Sequence, residues 1–276
     1  MRGSAAADDE LAAALSADLA ARLRAAPQSV AIDDGWAVGN ARLAQVHHLN
    51  AIVLGTAAPL PDRSYDANVI EALTRRWQAE LPDRCVVIDD EPVARRLAVE
   101  LQERGWEGQR TLWMALRSDP SAALGDVRAR ELREHELRSL QLACLQQEVV
   151  GPSVPTGLPA LLAGAQALLR ATTPSLRFGA GPPGAEPASS CTLFLDADVD
   201  GRRVATLEAV VTLREQREQG LARAAVSMAV RAAGEWGADL IVVGADADDW
   251  PQLMYASLGF RALGCRWLFT RRSVSA

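Results

Sequence analysis

Arg217, Gly220 and Ala222 stand in the stretch "TLREQREQGLARA", Thr212 to Ala224, where a charged loop meets an alanine-rich run suited to a helix. Glycine costs a helix roughly 0.5–1 kcal/mol relative to alanine, so a glycine at a helix entrance asks for a reason other than helix stability. The first turn of a helix leaves N–H groups without intrahelical partners, and with the helix dipole they form a site for an anion. A side chain at Gly220 would stand in the way of an anion that has to come within about 3 Å of those amides. Ala222 is small for the same reason, and Arg217 can add charge-assisted contacts. Over these residues alone, ordinary capping by glycine reads the same, so the neighbouring elements have to decide.

The rest of the composition removes competing chemistries. All 29 basic residues are arginine. A Walker-type phosphate loop, a protein kinase and a pyridoxal-phosphate enzyme each need a lysine that the chain does not have. The three histidines, His47, His48 and His135, would all be needed for an all-histidine zinc site. The four cysteines, Cys85, Cys144, Cys191 and Cys265, lie too far apart for metal or redox spacings, so no metal is expected and the thiols read as buried and free. A net charge of -6 and a pI near 5.2 argue against nucleic acid as a partner and suit a cationic acceptor. No run approaches the roughly 18 apolar residues of a membrane span, and the acidic start of the chain does not read as a secretory signal. The expectation is a soluble cytoplasmic protein, monomer or homodimer, with no membrane partner.

Two segments of the chain repeat one order of elements. "RCVVIDD", "EPVARRLAVELQERG" and "RTLWMAL" read as strand, helix, strand. "ADLIVVGAD", "DDWPQLMYASLG" and "CRWLFT" read the same way. Gly105, Trp106 and Trp113 match Gly259, Phe260 and Trp267 in spacing, which points to an internal duplication. "RSDPSAALGD", Arg117 to Asp126, is the expected linker, giving an N-terminal domain over 1–118 and a C-terminal domain over 122–276. The C-terminal half then reads as a short strand, helices over 134–148 and 158–170, and three antiparallel strands. A hairpin turn at Asp198–Gly201 joins the last two strands, which are followed by a helix over 221–236, a strand, a helix and a strand.

This order, with "REQGLA" between the fourth strand and the third helix, resembles the GNAT superfamily of acyl-CoA-dependent N-acyltransferases. Arg217, Gly220 and Ala222 fit its motif, "EAVV" precedes it, "LIVVGA" follows, and "YASLGF" matches the family's tyrosine, three residues, Gly-Phe. The resemblance covers roughly Leu124 to Arg272. It implies an α/β fold of the α+β type, a mixed, mostly antiparallel sheet flanked by helices, with a second, degenerate GNAT-like half at the N-terminus. It implies acetyl-CoA as cosubstrate, its pyrophosphate held by Arg217, Glu218, Gln219, Gly220, Leu221 and Ala222. The pantetheine arm would lie along Val210, Val211 and Thr212 as an added strand would, with a backbone N–H near Val210 or Val211 on the thioester oxygen. Tyr255 falls on the family's proton donor to the departing thiolate. Glu208, nine residues before Arg217, falls where some relatives carry the base. Both also fit blander roles, a packed tyrosine and a solvent-facing strand carboxylate.

Asp248 stands where relatives often carry asparagine, and Asp246, Asp248 and Asp249 could either draw an ammonium or cap the next helix. The N-terminal half has no glycine at the corresponding helix entrance, so one active site is expected. The implied reaction is direct acetyl transfer to an amine of a small molecule or protein. A non-catalytic acyl-CoA-binding or sensory protein is the alternative.

Overall fold

The structure, a computed structural model, describes residues 5–56, 60, 65–117, 128–151, 154–199 and 201–272. Apart from Arg117, the expected linker lies outside the described residues, and so does Asp200 of the expected hairpin turn. The residues form two compact units, the first comprising Met1–Trp113, Ala245–Gln252 and Ala262–Ala276, the second Met114–Gly244 and Leu253–Arg261.

In the first unit the strands run in the order β1 (Val30–Ile32), β2 (Gly35–Ala37), β3 (Ile52–Leu54), β4 (Asp83–Ile88), β11 (Arg261–Arg272) and β5 (Glu107–Arg117). β3 and β4 are parallel, while β1, β2 and β3 pair antiparallel in sequence and β11 runs antiparallel to β4 from Trp267↔Ile88 to Arg272↔Asp83. The run "CVVI" is apolar throughout because β4 is covered on both faces. Cys85 and Val87 pack with Val53, Leu19 and Ala26 at helix α1 (Ala5–Ala25). Val86 and Ile88 pack with Ile70 of α2 (Ala67–Trp77) and Leu97 and Leu101 of α3 (Glu91–Glu103). The C-terminal end of the β3–β4 pair is shut: Asp89 N–H donates to Leu54 O at 2.9 Å, and the Thr56 hydroxyl donates to the Asp89 carboxylate. Arg266 on β11, its side chain 4% exposed, donates to Asp89 (Nη2···Oδ2 3.0 Å) and to Asp18, with its guanidinium over the Trp113 ring.

The second unit orders β6 (Ala129–Glu131), β7 (Ser175–Ala180), β8 (Ser189–Val199), β9 (Arg202–Thr212) and β10 (Leu240–Asp246) side by side, antiparallel except for the parallel pair β9–β10. Val199 pairs with Arg202 at the expected hairpin, and Gly201 takes φ 76. Helix α4 (Glu134–Glu148) packs on α5 (Leu158–Thr172) and on β7, β8 and β9. Helix α6 (Leu221–Trp236) buries Leu221, Ala224, Ala225, Val226, Ala229 and Ala233, spaced for one helical face, and ends at left-handed Gly237. The unit also receives the end of α7 (Pro251–Ser257). Both units are mixed, mainly antiparallel sheets flanked by helices, the class read from the sequence.

Candidate active site

Strand β9 changes character at its C-terminal end. It pairs with β10 from Val204↔Leu240 to Leu207↔Val243, and beyond Leu207 no further pairing of β9 with β10 occurs among the described residues. On its other edge Thr192↔Glu208 is followed by Ser190↔Val211, so β9 spends three residues where β8 spends two. This is a β-bulge, and Ala209 within it takes φ 50. The parallel pair therefore opens beside Glu208, Val210, Val211 and Thr212, and the free edge of β9 is available for an added strand. Thr212 is held on the β8 side by Oγ1–H to Ser189 Oγ at 2.9 Å.

The chain then passes through a 3-10 turn, Arg214–Gln216, to the entrance of α6. Glu218 takes φ 64 and Gly220 φ 74, ψ 10. Ala209 and Glu218 are the two non-glycine residues with positive φ among the described residues, and both flank this opening. Such strain costs of order 1–3 kcal/mol each and gathers at functional sites. The first helical hydrogen bond runs from Ala224 N–H to Gly220 O (3.0 Å), and no side chain caps the helix. The amides of Leu221, Ala222 and Arg223 are therefore left for an anion. A Cβ at position 220 would meet only Arg128 Nη2, at 3.7 Å, so the left-handed backbone, more than crowding by protein atoms, requires the glycine.

Two arginines stand differently from the sequence expectation. Arg217 is turned to the Glu148 carboxylate at the end of α4 and to Thr212 O (Nε···O 3.4 Å), so it braces the loop. Arg128, just before β6, donates to Gln219 O at 2.9 Å and lies beside Gly220, which puts a guanidinium at the loop that reading the motif did not find. Arg128 and Arg130 also line a cleft of about 230 Å³ with the Gly181–Pro187 turn. No local signal could have located Arg128, because it comes from a segment some 90 residues away.

Tyr255 is buried in α7, its ring edge-on to Phe260 with centroids 5.8 Å apart. Its hydroxyl makes no hydrogen bond among the described residues. Burial, then the charges of Cys191 and Glu208, push its pKa well above the ordinary tyrosine value, so it stays protonated. The same relation places Tyr255 within electrostatic reach of Glu208 on β9. The other singled-out groups lie elsewhere or are engaged. Asp248 pairs with Arg110, Asp246 accepts from Gln109 (3.0 Å), and Asp249 accepts from Trp250 N–H (2.7 Å). His47 bonds Asp83 at 3.0 Å, and burial lowers His48 to a pKa of about 4. The cysteines are free.

Several residues of the chain stand at a common spacing in sequence. Asp66 and Gly220, Leu101 and Tyr255, Gly105 and Gly259, and Trp113 and Trp267 all lie the same 154 residues apart. Gly105 and Gly259 both have positive φ, and Trp106 N–H donates to Leu101 O (3.0 Å) as Phe260 N–H does to Tyr255 O (3.1 Å). At the α2 entrance the Asp66 carboxylate accepts from Val69 N–H at 2.9 Å, which fills the amide site with the protein's own negative charge. Leu101 is fully buried in the core and carries no proton to give.

Among the described residues no helix is long and apolar enough to cross a membrane, and no group of three or more His, Cys, Asp or Glu could hold a metal ion. The fold is one shared with solved structures at low sequence identity. Among solved structures the chain is similar to a GCN5-related N-acetyltransferase from Kribbella flavida, with a TM-score of 0.62 and 20% identity over 95% of this chain and 96% of that one. It is also similar to a functionally unknown conserved protein from Staphylococcus epidermidis ATCC 12228, with a TM-score of 0.68 and 11% identity over 90% and 94% of the two chains. No family model and no curated protein matches the sequence. Identities this low carry the fold and leave the reaction to the site.

Replacing Gly220 with valine tests the loop directly. A β-branched residue at φ 74 costs about 1–2 kcal/mol of backbone energy, so either the loop shifts or the strain is carried into the complex. Calorimetric titration is expected to show acetyl-CoA binding about 10- to 30-fold weaker, and an unchanged Kd would remove Gly220 from the site.

Proposed function

We propose that the protein is a GNAT-type N-acetyltransferase that moves the acetyl group of acetyl-CoA directly to an amine of a small molecule or a protein. The observation that carries this reading is the uncapped α6 entrance behind Gly220, adjoining the bulged end of β9 where it parts from β10. The amides of residues 221–223, with Arg128 close by, suit a pyrophosphate; Arg217 holds the loop that presents them. Val210 and Val211 lie where β9 parts from β10, and a main-chain N–H of one of them suits the oxygen that gains charge as the amine adds to the thioester carbonyl. The new N–C bond forms and the C–S bond breaks; Glu208 takes the proton that leaves the nitrogen, and Tyr255 gives its proton to the thiolate sulfur. No covalent enzyme intermediate and no metal are required.

We read residues 1–118 as a degenerate counterpart of the catalytic half over 122–276, supported by the common 154-residue spacing. Asp66 and Leu101 replace the residues that would bind and protonate coenzyme A there, which leaves one active site. The net charge of -6 disfavours nucleic acid as a partner, and we read the protein as a cytoplasmic enzyme, monomer or homodimer, without a membrane partner.

The test is release of free CoA from acetyl-CoA across a panel of amines. Wild type is expected to release CoA, and Glu208→Gln to lower kcat/KM about 10²-fold, the low end of general acid–base catalysis. Tight CoA binding with no release for any amine would favour the non-catalytic sensor.

A further inference from the structure

The two faces of the β7–β8–β9 sheet differ in kind. Cys191 Sγ–H donates to Ala225 O of α6 at 3.5 Å, so the odd-numbered residues of β8 around it face α6. Thr192 faces the other way. Its cross-strand partner Arg177 reaches Glu134 at the start of α4 (Nη1···Oε2 3.7 Å), which places α4 over that face. Glu208 is the cross-strand partner of Thr192 on the opposite side, so it stands on the α4 face too.

Around Glu208 that face carries hydroxyls where a core would carry hydrocarbon. Ser190 and Thr192 alternate on β8, and Thr206 stands two residues from Glu208 on β9. Cross-strand neighbours have Cβ atoms about 4.5–5.5 Å apart, and same-face residues on one strand about 7 Å, so the three hydroxyls lie on the sheet face that carries Glu208, Thr192 directly across from it and Thr206 next along β9. They are 0%, 1% and 5% exposed, and none has a hydrogen-bond partner among the described residues. From α4 comes a fourth such group. Gln141, 1% exposed, accepts from Arg170 Nη1 through Oε1 at 3.0 Å; because arginine can only donate, this fixes the amide orientation and leaves Nε2–H without a partner. With Gln166 of α5, these are all the unpartnered fully buried side-chain polar atoms of the second unit among its described residues. All sit on α4, α5 or the sheet face that α4 covers. A buried hydroxyl without a partner is destabilising, so several of them on the face that carries Glu208 are costly to the apoprotein without an offsetting partner.

Resting on the acetyltransferase reading above, we propose that Ser190, Thr192, Thr206 and Gln141 form the acceptor subsite, and that the acceptor is a small hydroxylated amine. The four groups are neutral and together can donate and accept, which matches alcohol hydroxyls and gives an apolar amine nothing. Glu208 meets the ammonium, and the hydroxyls orient the rest of the molecule toward the opening of β9.

The test uses a matched pair, serinol and 3-aminopentane, in which methyl groups replace hydroxyls. CoA release reports turnover, and the shift in Tm of the CoA-saturated protein reports binding. Wild type is expected to favour serinol about 30-fold or more in kcat/KM, since a site that hydrogen-bonds a hydroxyl rejects the analogue lacking it. Thr192→Val and Thr206→Val should each reduce that preference about tenfold, Ser190→Ala less. Because these hydroxyls have no protein partner, the valine variants should keep or raise the ligand-free Tm. Equal response to both amines, no response to either in both readouts, or a preference untouched by valine would overturn the subsite. Serinol-selective binding without CoA release would leave the subsite standing and overturn the acetyl transfer; release with both amines alike would do the reverse.

Discussion

Tyr255→Phe is expected to lower kcat about 10²- to 10³-fold, within the range of a lost general acid, while acetyl-CoA binds as tightly as to wild type. The substitution removes one oxygen and keeps the ring against Phe260, so the end of α7 is not disturbed. The binding loop at 217–222 belongs to the start of α6 and does not use the phenol. The departing thiolate, by contrast, has no other proton source indicated at this site: in the proposed reaction Glu208 serves the amine, and the Cys191 thiol is turned to Ala225 O of α6. Because burial first, and then Cys191 and Glu208, hold the Tyr255 pKa far above 10, wild type should show no alkaline loss of kcat from tyrosine ionisation up to about pH 10. Steady-state rates with separately titrated Kd check both points. A Phe variant that turns over like wild type would return Tyr255 to a packing role.

The second large effect concerns stability. Arg266→Leu is expected to destabilise the first unit by about 3–5 kcal/mol, because it leaves Asp89 and Asp18 buried without their shared cation. Urea unfolding should show a lower midpoint at unchanged slope. The double variant Arg266→Leu, Asp89→Leu should recover part of the loss, since replacing a buried ion pair by apolar groups can be nearly neutral. Burial alone would raise the Asp18 pKa, but Arg22 and Arg266 outweigh it and hold the carboxyl below its usual range. The sign follows: its contribution is complete above the unfolded value near pH 4 and is lost as pH falls through the lower native value. The Arg266 variant should therefore lose less stability on acidification than wild type. A midpoint within error of wild type would make the cluster incidental.

The helices 134–148 and 221–236 were legible in the sequence because buried positions recur at helical spacing; at their ends Glu136 accepts from Arg133 N–H and Gly237 is left-handed. Longer strands such as β8 and β9 were legible from apolar content and the Asp198–Gly201 turn. The three-residue strands β1 and β2 were not; they are too short to show alternation and exist because β3 pairs beside them. The bulge at Ala209 was hidden for a related reason. Alanine rarely adopts φ 50, and nothing in "LEAVV" announces an extra residue; the register with β8 creates it.

By itself the sequence determined the order of elements, the glycine at the α6 entrance, the placing of Tyr255 and Glu208 as candidates, and the spacing shared by Gly105 and Trp113 with Gly259 and Trp267. These depend on short-range stereochemistry and spacing, which a chain carries wherever it folds. Only the tertiary structure decided that Arg217 braces the loop while Arg128 stands beside it, that Asp66 caps α2, and that the last strand seats against β4 through Arg266. Each of these joins residues from separate segments, or depends on which backbone atoms a side chain reaches, and local sequence does not encode those distances.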